Sequence, residues 1–110
     1  MRPTRASYLY YEPGDFMGLH IDLPSCALTM LTSLGGDAPP LVVHPELPSL
    51  EPSRLEEIAH AGVLRPGGVP LPVSERGVSM LLGSETPHHR PVVDAAHDVV
   101  VVTLCYTALA

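Results

Sequence analysis

His20 and Asp22 stand one residue apart in the segment Gly18-Leu19-His20-Ile21-Asp22, which reads as extended chain. Side chains two positions apart in a strand share a face, so an imidazole and a carboxylate are expected side by side, with Leu19 and Ile21 facing the other way. Such a pair can chelate one cation. A further imidazole is available far along the chain, in Thr86-Pro87-His88-His89-Arg90-Pro91, where adjacent strand residues face opposite sides and only one of the two His can join the pair. Two imidazoles and one carboxylate leave positions open on the ion, a donor set suited to a metal that changes oxidation state. A closed zinc site would want a fourth protein ligand, often Cys, and Cys26 and Cys105 lack the paired spacing of a zinc knuckle.

The elements that must position these residues are short. Strand-like segments fall at residues 6–11, 17–22, 27–34, 41–44, 69–73, 78–82, 89–93 and 99–106, with turns such as Pro13-Gly14-Asp15, Gly35-Gly36-Asp37 and Pro66-Gly67-Gly68 between some of them. Eight short strands in 110 residues imply an all-β sandwich or barrel. One helix is expected, at residues 53–61. Ser53 is a suitable N-cap with Glu56 three positions on, Leu55, Ile58 and Ala59 form the apolar stripe, and Gly62 can end it. The Glu12-Pro13-Gly14-Asp15 turn is expected to fold Tyr8 and Tyr10 back onto the His20/Asp22 pair as a hairpin.

Composition narrows the function. The chain is long enough for one domain, residues 1–110, with the polar, Pro-rich stretch near residues 35–53 as an insertion. It has no Lys, six Arg against twelve acidic residues, and a formal charge of −6, which disfavours nucleic acid as a partner. No secretory leader or membrane-length apolar run stands out, so a soluble, cytoplasmic protein without membrane partners is expected. Cys26 and Cys105 read as isolated buried thiols. His44 reads as a strand-end His bonded to backbone, and His60 as a favourable cation at a helix C-terminus. No phosphate loop or nucleophile elbow is present.

The run Tyr8-x-Tyr10-Tyr11-x-Pro13-Gly14-Asp15-Phe16-x-Gly18-x-His20-x-Asp22 resembles the metal-binding hairpin of the Fe(II)/2-oxoglutarate-dependent oxygenases, in their prolyl-hydroxylase-like branch. Pro87-His88 and the apolar strand ending Leu104-Cys105-Tyr106 extend the similarity over residues 6–106. The resemblance implies a double-stranded β-helix, or jelly roll. It implies Fe(II) held by His20, Asp22 and His88, with His89 as competitor for the third place; His88 is favoured because it follows Pro87. It further implies 2-oxoglutarate and O₂ as cosubstrates, leaves room for ascorbate, and points to hydroxylation of a small molecule or a peptide side chain. Leu28, Met30 and Leu104 are expected on the pocket wall.

Two departures accompany it. The family's Arg at the start of the last strand, which grips the far carboxylate of 2-oxoglutarate, is replaced here by His97-Asp98-Val99. Arg90 is the nearest substitute, two positions beyond His88 and on the same face, with Tyr8, Tyr10 and His97 as additional hydrogen-bonding groups; Asp98 would have to face solvent. Only nineteen residues precede His20, where relatives carry helices over one sheet, which leaves an apolar face open to homodimer formation or marks a shortened form. The alternatives are therefore a cupin-like metal-dependent oxygenase without a 2-oxo acid, and a catalytically inactive jelly-roll module for binding or dimerisation.

Overall fold

The computed structural model describes residues 1–35, 38–47, 54–55, 68–93 and 98–108. Eight strands are formed within them: β1 (Arg2–Tyr11), β2 (Met17–His20), β3 (Leu28–Ser33), β4 (Ala38–Val43), β5 (Val69–Val73), β6 (Ser79–Leu81), β7 (His88–Arg90) and β8 (Val99–Thr107), with one 3-10 turn at Pro24–Cys26. Each expected strand has its counterpart. All but Arg54 and Leu55 of the expected helix lie outside the described residues, and those two are helical.

The strands form two four-stranded antiparallel sheets, in the orders β1-β8-β3-β6 and β2-β7-β4-β5. Pro placement follows from these orders. Pro70 and Pro72 lie on β5, an edge strand, where a missing N–H removes fewer ladder bonds, and Pro39-Pro40 coincide with the register irregularity between Ala38 and Leu41. β8 carries the Val99–Val102 run at the centre of its sheet, where β-branched residues pack on both neighbours.

Between the sheets lies a core of Tyr11, Leu31, Leu41, Val43, Val73, Leu81, Val93, Val99 and Val101, with Ala38 at its margin and Leu9 and Leu71 packed against it. Burial alternates along β3 and through the first half of β8, so Thr29, Leu31, Ser33, Val99 and Val101 face inward and their neighbours outward. Leu28, Met30 and Leu104 are thus half-buried on the outer side of the sheet and do not line the pocket as expected. Period-two alternation identifies the two faces of a strand but not which of them meets the opposite sheet.

Two further expectations are overturned. β1 does not fold back on β2 as a hairpin: it pairs with β8 and belongs to the other sheet. The Pro13-Gly14 turn carries the chain across, Gly14 taking φ +96°. Asp15 N–H donates to Glu12 O at 3.0 Å, and Gly14 and Val93 anchor the turn through Gly14 N–H to Val93 O and Val93 N–H to Asp15 O, both 2.8 Å. Cys26 and Cys105 are not separate thiols but a disulfide closing a sequence separation of 79 residues. Their partnership is a matter of pairing, since β3 lies beside β8 with Thr29 opposite Cys105, and the 3-10 turn leading into β3 brings Cys26 to the same place. No helix among the described residues is long and apolar enough to cross a membrane.

Candidate metal centre

His20 ends β2 and His88 begins β7, and the two are direct cross-strand partners, so their side chains emerge together on the inward side. The rings lie 4.3 Å apart between centroids at 60°. Asp22 falls just beyond β2 and is placed by its backbone N–H, which donates to Gly83 O at 2.8 Å. Asp22 Oδ1 lies 3.5 Å from His20 Nε2 and 3.3 Å from His88 Nε2, and the three groups offer donor atoms all within 4.8 Å of one another.

Each imidazole is oriented by the same local device. His20 Nδ1 is 2.7 Å from Gly18 O and His88 Nδ1 is 2.7 Å from Thr86 O. A carbonyl can only accept, so both Nδ1 atoms carry hydrogen and both Nε2 atoms are turned toward Asp22. Burial by itself would raise the Asp22 carboxyl. Hydrogen bonds from His20 and His88, the charge of His88 and the Thr29 hydroxyl outweigh it and hold the group well below the usual carboxylate range. Burial would likewise lower His20, but its hydrogen bonds to Asp22 and to Gly18 O and the Asp22 charge raise the imidazole above its ordinary value. The cluster is therefore an ionised carboxylate between two imidazoles, donors that a divalent cation would take over by displacing protons.

His89 points the other way. On the opposite face of β7 its Nδ1 lies 2.9 Å from His44 Nε2, and His44 Nδ1 lies 3.2 Å from Glu46 Oε1. The carboxylate accepts from His44 Nδ1, so His44 Nε2 in turn accepts from His89. His44 is thus buried and bonded through its side chain to other side chains, not to backbone as expected. Burial, followed by repulsion from His44, His88 and His20, lowers the His89 pKa. Since His88 faces the cluster and His89 faces away, His88→Ala should reduce Co(II) affinity by more than about 100-fold, beyond the range seen for outer partners, while His89→Ala should leave it within about threefold, as read by calorimetric titration.

Arg90 returns to the inward face of β7. It is 2% exposed, donates from Nη1 to Pro39 O at 3.1 Å, and lies over the Tyr11 ring at 4.9 Å. No carboxylate among the described residues pairs with it. His20, His88, Arg90 and Tyr11 line one cavity with Leu9, Met17, Thr29, Leu31, Leu41, Leu81 and Thr103, about 60 Å³ in volume and open on one side. That volume is roughly that of two waters, so a larger ligand must extend through the open side.

The remaining expected contacts divide differently. Tyr8 and Tyr10 are 68% and 74% exposed on the outer face of β1, one residue out of phase with Leu9 and Tyr11, which line the cavity. The single-residue alternation that excludes Tyr8 and Tyr10 brings in Tyr11. His97 lies outside the described residues, and Asp98 is exposed to solvent. Sequence reasoning missed Tyr11 and Thr29. Tyr11 was visible within the Tyr-rich run but not its phase, and Thr29 carries no local signal. No family model, no curated protein and no solved structure matches this chain.

Proposed function

We propose that this chain is a non-haem Fe(II)- and 2-oxoglutarate-dependent dioxygenase on a double-stranded β-helix, hydroxylating a small molecule or a peptide side chain. The observation that carries the reading is the convergence of His20 and Asp22, at and just beyond the end of β2, with His88, at the start of β7, which brings both Nε2 atoms beside one carboxylate oxygen with all donor atoms within 4.8 Å of one another. The donor chemistry fits: two neutral nitrogens and one anionic oxygen on one side of an ion suit Fe(II) and leave its other side free. Sheet orders β1-β8-β3-β6 and β2-β7-β4-β5, in which the chain passes repeatedly between sheets, support the jelly-roll part of the reading.

Bound Fe(II) would supply the activation of O₂ coupled to oxidative decarboxylation of a 2-oxo acid to succinate and CO₂. The protein's own share is positional and electrostatic. His20 and His88 are locked with Nε2 inward by the carbonyls of Gly18 and Thr86, and Asp22 contributes the negative charge. Leu9, Leu31, Leu41 and Leu81 keep one wall of the cavity apolar and limit water there. Arg90, a buried guanidinium without a carboxylate partner among the described residues, is the group that would receive the far carboxylate of the 2-oxo acid. A buried cation is costly unless an anion meets it, and a dicarboxylate entering this cavity would provide one.

Anaerobic addition of Fe(II) and 2-oxoglutarate should produce a visible charge-transfer band, and admission of O₂ should release succinate. Arg90→Met should retain Fe(II) within about threefold but weaken 2-oxoglutarate by about 10- to 100-fold, the worth of a charge-assisted hydrogen bond. A band that persists unchanged in Arg90→Met would remove Arg90 from the site. Iron binding with no band and no succinate would instead favour one of the two alternatives, a metalloenzyme that uses no 2-oxo acid or a catalytically inactive module for binding or dimerisation.

A further inference from the structure

Asp22 has two oxygens, and the structure treats them differently. Oδ1 faces both imidazoles, whereas Oδ2 accepts a hydrogen bond from Thr29 Oγ1 at 2.9 Å. Thr29 is 5% exposed on the inward face of β3, between Leu81 on β6 and Cys105 on β8 in the middle of the sheet. Its hydroxyl has one hydrogen to give. Its other close polar neighbour is Cys105 Sγ at 3.9 Å, which as half of a disulfide has no hydrogen of its own. The donor is therefore committed to Asp22.

Gly83 completes the cradle. Its carbonyl accepts the Asp22 backbone N–H, and a Cβ at this buried position would collide with Asp22 Oδ2 and Thr29 Oγ1 together. The carboxylate thus occupies the space that a side chain at residue 83 would fill, with its backbone held from one side and its outer oxygen from the other.

We propose that Thr29 and Gly83 are positioning residues that make Asp22 a one-oxygen ligand, with Oδ2 retained by Thr29 so that only Oδ1 reaches a cation. This deepens the metal-centre reading and rests on it. The consequence is a matter of counting. Two imidazoles and one carboxylate oxygen occupy three positions of a six-coordinate ion and leave three, room for a two-point chelate and one further ligand. A carboxylate free to turn and bind through both oxygens would take a fourth, and a chelating acid would then leave none.

The test uses Co(II) alone, titrated anaerobically into the wild-type chain and into Thr29→Val, Thr29→Ser and Gly83→Ala, with affinity from calorimetry and coordination from the visible d–d spectrum. Thr29→Val, which keeps the shape and removes the donor, should weaken binding by about 10- to 100-fold and shift the spectrum toward higher coordination number. Thr29→Ser should restore both, and Gly83→Ala should weaken binding at least as much as Thr29→Val. Far-UV circular dichroism checks folding, and Gly83→Ala answers the question should Thr29→Val fail to fold. Wild-type-like affinity and spectrum in folded Thr29→Val or Gly83→Ala would overturn the positioning role and leave the metal centre standing. Absence of Co(II) binding by the wild-type chain would overturn both.

Discussion

Asp22→Ala is expected to abolish stoichiometric Fe(II) binding while the chain remains folded. Asp22 is the one carboxylate in the cluster and carries its negative charge; without it, two imidazoles face a divalent cation with nothing to offset that charge. Loss of outer partners around a metal typically costs about 10- to 100-fold in affinity, and loss of a direct ligand should exceed that range. The fold should tolerate the change. Asp22 lies outside the apolar core, its side chain is 20% exposed, and the hydrogen bond from Thr29 that the substitution removes, made to a charged oxygen, is worth about 1.5–3 kcal/mol. That is small beside the roughly 5–15 kcal/mol that holds a typical domain. Iron content after anaerobic loading and gel filtration, read beside a thermal melt, checks both halves of the expectation. One equivalent of iron retained by the variant would refute the assignment.

Removing the Cys26–Cys105 bond should have the largest effect on stability. The disulfide ties the turn ahead of β3 to the far end of β8 across a separation of 79 residues, so it restrains most of the unfolded chain. A loop of that length is worth about 4.5 kcal/mol in the chain-entropy account, and measured losses for small domains run at about 2–5 kcal/mol. At about 4 °C per kcal/mol, the low end of the range for domains of up to about 100 residues, a loss of about 2–5 kcal/mol puts the melt of the double variant Cys26→Ser/Cys105→Ser roughly 10–20 °C below that of the oxidised wild type. Wild-type protein in excess dithiothreitol should move in the same direction. Identical melts with and without reductant, together with two titratable thiols in the native chain, would show that the bond does not form.

The two effects also separate the contributions of different parts of the fold. Asp22→Ala acts on a charged cluster at the margin of the cavity, whereas the cysteine variant acts on the β1-β8-β3-β6 sheet that carries Thr29 behind it. A loss of metal affinity in the cysteine variant at temperatures where it is still folded would report loosening of Thr29, whose neighbour in that sheet is Cys105.

How far the site was legible depends on the range of each interaction. His20 and Asp22 declare themselves as a pair because one intervening residue puts them on one side of an extended segment, and the Pro13-Gly14 turn is visible in its residue types. The strands at residues 69–73 and 99–106 are equally plain from β-branched content and flanking breakers. These features are local: they follow from sterics and hydrogen bonding over a few residues.

What the chain could not disclose by itself is which sheet each strand joins and which of its faces turns inward. The choice of His88 over His89, the exclusion of Tyr8 and Tyr10 in favour of Tyr11, the outward turn of Leu28, Met30 and Leu104, the bond between Cys26 and Cys105, and the meeting of Thr29 with Asp22 all depend on pairings between distant segments. The physical reason is that a strand's period of two is the same whichever face is buried. A shift of one residue exchanges every inward side chain for an outward one, and only the packing of one sheet against the other makes one phase lower in free energy.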